Sequence, residues 1–198
     1  ELITDKLENQ EIVAHIARCN DLIKKEIGNE NADVHFLVGG TQANTTVICA
    51  LLRPHQGVIS AVSGHINVHE SGAIEATGHK VIILPTTPDG KLTAEAIQNG
   101  YDAHWNDVTH EHIPQPGMVY ISQSTEDGTT YTRAELKAIS ETCRKCELPL
   151  FIDGARMGYG LASEGYLHDL TVLPNVDLSQ PWWDQTAVTG LSVGQHLY

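Results

Sequence analysis

The stretch Pro149-Leu-Phe-Ile-Asp-Gly-Ala-Arg156 is an apolar segment that ends at a carboxylate, with a guanidinium group three residues later. A short apolar run bounded by Pro and Gly is typical of a buried strand. In α/β proteins ligands bind beyond the carboxyl ends of such strands. The stretch therefore predicts a strand over Leu148–Ile152, with Asp153 and Arg156 as candidate site residues at its end.

A second informative stretch reads Leu37-Val-Gly-Gly-Thr-Gln-Ala-Asn44. It predicts a strand over His35–Val38, a tight turn at the Gly pair, and a helix over Asn44–Leu52. The free N–H groups and positive dipole end of that helix favour a phosphate ester, with the Thr41 hydroxyl as a further donor. The pattern matches neither the Walker motif nor the dinucleotide fingerprint. A plain turn is the alternative interpretation.

Helical and strand periodicity alternate along the rest of the chain. Apolar residues three or four apart predict an amphipathic helix over Ile12–Ile27, which Gly28 ends. Further strands are predicted at Val58–Val62, Val81–Leu84 and Met118–Ser122. Further helices are predicted at Glu70–Thr77, Thr93–Gln98 and Thr132–Cys146, the last opened by the capping box Thr132-Arg-Ala-Glu135, with an irregular connection over Asn99–Gln115. The order predicts one α/β domain over residues 1–198, in three layers, with a mostly parallel sheet covered by helices on both faces.

Composition and charge limit the classes of protein and of binding partner that the sequence is compatible with. The 198 residues are 41% hydrophobic and 19% charged, which is ordinary for a globular domain. Twelve basic against 25 acidic residues give a formal charge of -13, which disfavours nucleic acid and acidic lipid surfaces as partners. Without an apolar run of about 18 residues, a membrane span is not expected. A cytoplasmic protein is predicted.

Two groups of potential metal ligands are incomplete. Cys143 and Cys146 have zinc-like spacing but no second pair of ligands. The group formed by His104 and His110–His112 lies in a polar connection, where histidines are usually solvated. No metal site is predicted.

His65 follows the strand predicted at Val58–Val62, within Ser63-Gly-His-Ile-Asn-Val-His-Glu70. Its imidazole could stack on a flat heteroaromatic ring, or it could be an ordinary loop histidine. A phosphate cradle, a ring partner and a carboxylate for a ring nitrogen are the needs of pyridoxal 5'-phosphate. Asp153 would be the carboxylate, and Arg156 could pair with an amino acid carboxylate. Alternatively, Asp153 caps a helix and Arg156 is its ion-pair partner.

Three segments carry a family resemblance. In order and spacing, Gly-Gly-Thr-Gln-Ala-Asn, Gly-His-Ile-Asn-Val-His-Glu-Ser-Gly-Ala and Phe-Ile-Asp-Gly-Ala-Arg resemble the low-specificity threonine aldolases and related β-eliminating lyases, over about residues 22–165. The resemblance implies the aspartate aminotransferase fold and a homodimer or homotetramer with shared active sites. It implies a phosphate site at Gly40, Thr41 and Gln42, a ring stacked on His65, a ring nitrogen at Asp153, and a substrate carboxylate at Arg156.

The activity implied is carbon–carbon bond cleavage of L-threonine or a related β-hydroxy amino acid, giving glycine and an aldehyde. His65 or Glu126 would take the hydroxyl proton. Glu126 stands where the family has a histidine; a solvated turn is the alternative for its segment, Ser124–Gly128. β-Elimination is the alternative chemistry.

The chain also departs from the family. Such enzymes bind the cofactor covalently through a lysine that follows the Asp-Gly-Ala-Arg segment, whereas the last lysine is Lys145. Impaired turnover is therefore expected, and a non-catalytic fragment that keeps a cofactor pocket or a subunit interface is the alternative. The small C-terminal domain is expected to be absent, and residues 1–20 and Leu178–Tyr198 look atypical, as after a shift of reading frame or decay of the gene.

Overall fold

The computed structural model describes residues 6–156 and 187–190. The chain divides into two compact units, Glu1–Phe36 and Leu37–Tyr198. The first unit contains helix α1, Lys6–Glu26. Gly28 follows it with φ of 66°, a left-handed conformation that glycine adopts without strain and that commonly ends a helix. The predicted amphipathic helix and its end are confirmed.

The second unit is built on a five-stranded parallel sheet in the order β2-β1-β3-β4-β5. Its strands are β1 Gln56–Ala61, β2 Val81–Leu84, β3 Gln115–Ser122, β4 Leu150–Asp153 and β5 Ala187–Gly190. Ser122 at the end of β3 is the register partner of Asp153 at the end of β4. All four neighbouring pairs run parallel, which confirms the predicted sheet.

In its described residues four helices accompany the sheet: α2 Gly40–Leu51, α3 His65–Val68, α4 Ala94–Asn106 and α5 Arg133–Lys145. Two 3-10 turns lie at Glu75–Thr77 and His110–His112. The predicted capping box opens α5, because the Thr132 hydroxyl accepts from the N–H of Glu135 while the Glu135 carboxylate accepts from the N–H of Thr132.

Two hydrophobic clusters show that helices cover both faces of the sheet. Along β3 the side chains alternate, so Val119 and Ile121 face one cluster while Met118 and Tyr120 face the other. The first cluster takes its helical residues from α4 and α5, namely Ile97, Leu136, Ile139 and Cys143. The second takes Ile48 from α2. The three-layer α/β prediction is confirmed.

The strand predicted over His35–Val38 is wrong. No strand lies there, and the Val38 side chain is 98% exposed. The Val38 N–H donates to Gln42 Oε1 at 2.9 Å, so this segment enters α2 as a loop. A short apolar run in the sequence does not distinguish a strand from a loop that precedes a helix.

The helix predicted over Glu70–Thr77 is also wrong. Helical turns lie on either side of its start, at α3 and at Glu75–Thr77. Ser71 and Gly72 between them have φ of 53° and 74°, a conformation that cannot continue a right-handed helix.

Helix α4 extends beyond the predicted Thr93–Gln98 into the stretch that was expected to be irregular. Gly100 does not end it, because this glycine packs against Leu84, whose Cδ2 atom would lie 2.7 Å from an added Cβ. His104 is consequently on a helix and only 6% exposed, so its assignment to a polar, solvated connection was wrong. Of Leu178–Tyr198, the structure describes only β5.

No helix in the part of the chain that the structure describes is both long and apolar enough to cross a membrane.

Candidate functional site

Asp153 lies at the carboxyl end of β4, where the sequence places it, and is 8% exposed. Its Oδ2 accepts a 2.6 Å hydrogen bond from the Tyr120 hydroxyl, and its Oδ1 accepts from the Ala155 N–H at 2.9 Å. These two donors offset the cost of burying the carboxylate. The structure therefore holds an oriented acidic group at the end of the strand.

Tyr120 is a functional candidate that sequence reasoning missed. Burial and the neighbouring Asp153 carboxylate raise the pKa of the Tyr120 hydroxyl well above its ordinary value, which keeps the donor protonated. The signal was available: a tyrosine inside an apolar strand, Gln115–Ser122, needs a partner for its hydroxyl group. The identity of that partner depends on strand pairing.

His65 is the first residue of α3, close after β1. Its Nδ1 lies 2.9 Å from Oε1 of Glu70, a carboxylate whose side chain is fully buried. The hydrogen bond with Glu70 raises the pKa of His65, whereas burial of the imidazole lowers it. The negative charges of Glu126 and Asp153 raise this pKa further. All three carboxylates therefore act on this imidazole.

Glu70 also joins His65 to α2. Asn44, which is buried on α2, donates to the same Glu70 Oε1 at 2.6 Å. The second oxygen, Oε2, is buried with no hydrogen-bond partner among the described residues. Asn44 lies one turn after Gly40, so this network connects the predicted phosphate cradle with the predicted ring partner. Asn44 and Glu70 belong to the motifs read from the sequence, but no role was predicted for them.

The cradle itself is the first turn of α2, with Gly39 as its N-cap. No side chain caps the N–H groups of this turn, and an added Cβ on Gly39 would meet no atom within 4 Å among the described residues. Thr41 is exposed beside it. Gln42 is partly committed, because its Oε1 accepts from the Val38 N–H. Uncapped N–H groups at a helix N-terminus suit an anion.

Arg156 pairs with Glu126 rather than with Asp153. Nη1 donates to Oε1 of Glu126 at 2.8 Å, and Nη2 donates to Oε2. The Glu126 side chain is 9% exposed and that of Arg156 35%. The low exposure of the Glu126 side chain does not fit the alternative in which Glu126 lies in a solvated turn. The alternative in which Arg156 is the ion-pair partner of Asp153 does not fit either, because Arg156 pairs with Glu126.

A shallow cleft lies at the carboxyl edge of the sheet. It is lined by Ser60, Ala61, Ser63, Gly64, Gly90, Tyr120, Ile121, Ser122, Thr125, Glu126 and Tyr131. Glu126 and Tyr120, the partners of Arg156 and Asp153, both belong to this lining. The cleft thus adjoins the partners of two candidate site residues, whereas Gly40, Thr41, Gln42 and His65 are not part of its lining.

Among the residues described, no group of three or more His, Cys, Asp or Glu side chains is placed to hold a metal ion.

A family model described as beta-eliminating lyase matches residues 13–162. Similar curated proteins are named low-specificity L-threonine aldolase: that of Pseudomonas aeruginosa is 36% identical over 151 residues, and that of Pseudomonas sp. NCIMB 10558 is 34% identical. The matched part is 75% of this chain and 42% of each relative, so the chain spans less than half the length of these proteins.

Solved structures agree with this match. The threonine aldolase of Leishmania major superposes with a TM-score of 0.72 at 45% identity, over 80% of this chain and 44% of that one. Bna3p of Saccharomyces cerevisiae, 18% identical with a TM-score of 0.64 over 90% of this chain and 41% of that one, shares the fold. Given a family model that covers most of the sequence, and relatives more than 30% identical, the chain belongs to the beta-eliminating lyase family.

Proposed function

We propose that the protein is a pyridoxal 5'-phosphate-dependent carbon–carbon lyase of the threonine aldolase type. It would cleave L-threonine or a related β-hydroxy amino acid into glycine and an aldehyde. The observation that carries the proposal is the buried Asp153 carboxylate, fixed by Tyr120 and the Ala155 N–H at the end of β4. The names of the Pseudomonas and Leishmania relatives support the substrate class.

The residues present fit the cofactor. The uncapped N-terminus of α2, at Gly40, Thr41 and Gln42, would hold the phosphate. His65 would stack on the ring, and Asp153 would pair with the protonated ring nitrogen. When bound, the ring supplies the electron sink for the bond that breaks.

His65 is the better placed of the two candidate bases. In the neutral imidazole, which forms above the raised pKa of His65, Nδ1–H donates to Glu70 because a carboxylate only accepts, and Nε2 carries the lone pair. The Nε2 atom would take the proton of the substrate hydroxyl. Both oxygens of Glu126 already accept hydrogen bonds from Arg156, so Glu126 could act as a base only after that pair opens.

The experiment has a binding arm and a turnover arm. Pyridoxal 5'-phosphate is added to the purified protein and to Asp153→Asn, and the affinity is measured by absorbance. Losing a charge-assisted hydrogen bond should weaken binding about 10- to 100-fold. Acetaldehyde formed from L-threonine is measured with alcohol dehydrogenase, and a keto acid formed from L-serine would indicate β-elimination instead. Equal affinity in both proteins would contradict the role of Asp153.

The absence of lysine from Glu147–Tyr198 keeps the prediction of impaired turnover open. Borohydride reduction of the cofactor-loaded protein, followed by peptide mapping, addresses it directly. A covalent adduct on one of this chain's lysines would support an active enzyme. Reversible binding without an adduct would support the alternative, a chain that keeps the pocket without turnover.

We further propose a cytoplasmic homodimer or homotetramer. Its four cysteines are all free, as expected in a reducing compartment. Light scattering of the purified protein measures the oligomeric state.

A further inference from the structure

Glu126 fills the position that a ligand carboxylate would take on Arg156. Its two oxygens accept from two different nitrogens of the guanidinium group, the bidentate geometry that arginine also offers to carboxylate ligands. Glycine and threonine carry the same carboxylate group. One guanidinium edge cannot hold two carboxylates in this way at once.

The backbone around Glu126 is anchored independently of this ion pair. The Thr125 N–H donates to the Thr129 carbonyl at 2.9 Å, and the two hydroxyl groups are 2.7 Å apart. Thr129 also donates from its hydroxyl to the Asp89 carbonyl at 2.7 Å. Glu126 can therefore leave Arg156 by side-chain rotation while its loop stays in place.

The burial of the two side chains differs. Arg156 is 35% exposed, whereas Glu126 is 9% exposed and lines the cleft. Arg156 is therefore the partner more accessible from solvent.

We propose that Glu126 is an internal competitor for the carboxylate of the amino acid substrate, so that binding at Arg156 requires Glu126 to be displaced. The inference rests on the proposed function, since it concerns the same site. Displacement would also free the Glu126 carboxylate, close to His65, as substrate binds. Glu126 would thus lower the affinity of Arg156 for every carboxylate ligand, and a ligand without a carboxylate would not displace it.

The test measures carboxylate binding without the cofactor. Glycine is titrated into the purified protein and followed by NMR on the Nε–H signal of Arg156, assigned with Arg156→Lys. Glycinamide, which lacks the carboxylate, is the matched ligand control. Glu126→Gln and Glu126→Ala remove the competitor, and Asp127→Asn removes one negative charge from the next residue, which lies outside the pair.

Glu126→Gln and Glu126→Ala should bind glycine about tenfold more tightly than the parent protein, whereas Asp127→Asn should change affinity little. Glycinamide should bind none of them. Equal glycine affinity in the parent protein and both Glu126 variants would overturn the proposal, as would an equal gain in Asp127→Asn. Binding of pyridoxal 5'-phosphate is measured separately by absorbance. A protein that does not bind the cofactor would contradict the proposed function, whereas the glycine titration alone tests whether Glu126 competes for Arg156.

Discussion

The hydroxyl group of Tyr120 and the Oδ2 atom of Asp153 are joined by a 2.6 Å hydrogen bond between neighbouring strands β3 and β4. Asp153 stands at the end of its strand, and Tyr120 lies two residues before the end of the other. Because this hydrogen bond connects neighbouring strands, the pairing of β3 with β4 determines the orientation of the Asp153 carboxylate.

Tyr120→Phe should lower the free energy of unfolding by about 1–3 kcal/mol, because it removes a buried hydrogen bond to a carboxylate. Urea unfolding followed by circular dichroism measures the change. The same substitution should weaken pyridoxal 5'-phosphate binding, since Asp153 loses one of the donors that orient it. Tyr101→Phe on α4 is the control and should leave cofactor affinity unchanged; a Tyr120→Phe protein with parental affinity would show that the bond has no orienting role.

Glu70→Gln should lower the pKa of His65, which the hydrogen bond with Glu70 raises. A histidine whose pKa is raised on folding adds stability below its unfolded value of about 6.5, and that stability is lost as pH rises through the folded pKa. The destabilisation caused by Glu70→Gln should therefore be larger at about pH 5.5 than at about pH 8.5. NMR titration of His65 and urea unfolding at both pH values measure the two effects.

His65→Gln provides the control for this pH dependence. Glutamine does not titrate, so Glu70→Gln in that background should destabilise the protein by the same amount at both pH values. A pH dependence that persists in the double variant would assign the effect to another group. Asn44 can still donate to the amide oxygen that Glu70→Gln introduces, in either background, which preserves the link to α2.

Thr132→Ala should cost about 1 kcal/mol of stability, because the Thr132 hydroxyl accepts from the Glu135 N–H in the capping box of α5. Denaturant unfolding measures the change, with Thr130→Ala, two residues before the helix cap, as the matched control. A loss of similar size in both variants would mean that the cap itself contributes little. Cofactor affinity should not change in either protein.

Local patterns in the sequence were sufficient for most of the fold. Strand β2 was predicted with its observed bounds, and the capping box of α5 was read from two residues. Asp153 was placed at a strand end because an apolar run stops there. Such features depend on neighbours in the chain, which sequence reasoning can evaluate.

Contacts between distant segments could not be derived in the same way. The pair of Arg156 with Glu126 joins residues 30 positions apart, and Glu70 finds Asn44 across 26. Helix α4 was predicted to end at Gln98, and the packing of Gly100 against Leu84 within its longer course is visible only in three dimensions. The roles given to Gly40, Thr41, Gln42, His65, Glu126, Asp153 and Arg156 remain predictions, which the proposed experiments address.

Gly64→Ala should disturb the position of His65. A Cβ added to Gly64, the N-cap of α3, would lie 2.2 Å from Ser60 Oγ, far inside contact distance, and 3.1 Å from the Ala61 carbonyl oxygen. Overpacking of this kind typically costs about 1–3 kcal/mol. Urea unfolding should show that loss, and NMR should show a changed pKa for His65.

Ser60 makes the cause testable, because its hydroxyl is buried with no hydrogen-bond partner in the described part of the chain. Ser60→Ala alone should therefore be neutral or slightly stabilising. Combined with Gly64→Ala, it removes the nearest clashing atom and should restore much of the lost stability together with the His65 pKa. Additive effects of the two substitutions would locate the damage elsewhere, whereas recovery would show that a glycine is required at position 64 because Ser60 of β1 lies too close for a side chain.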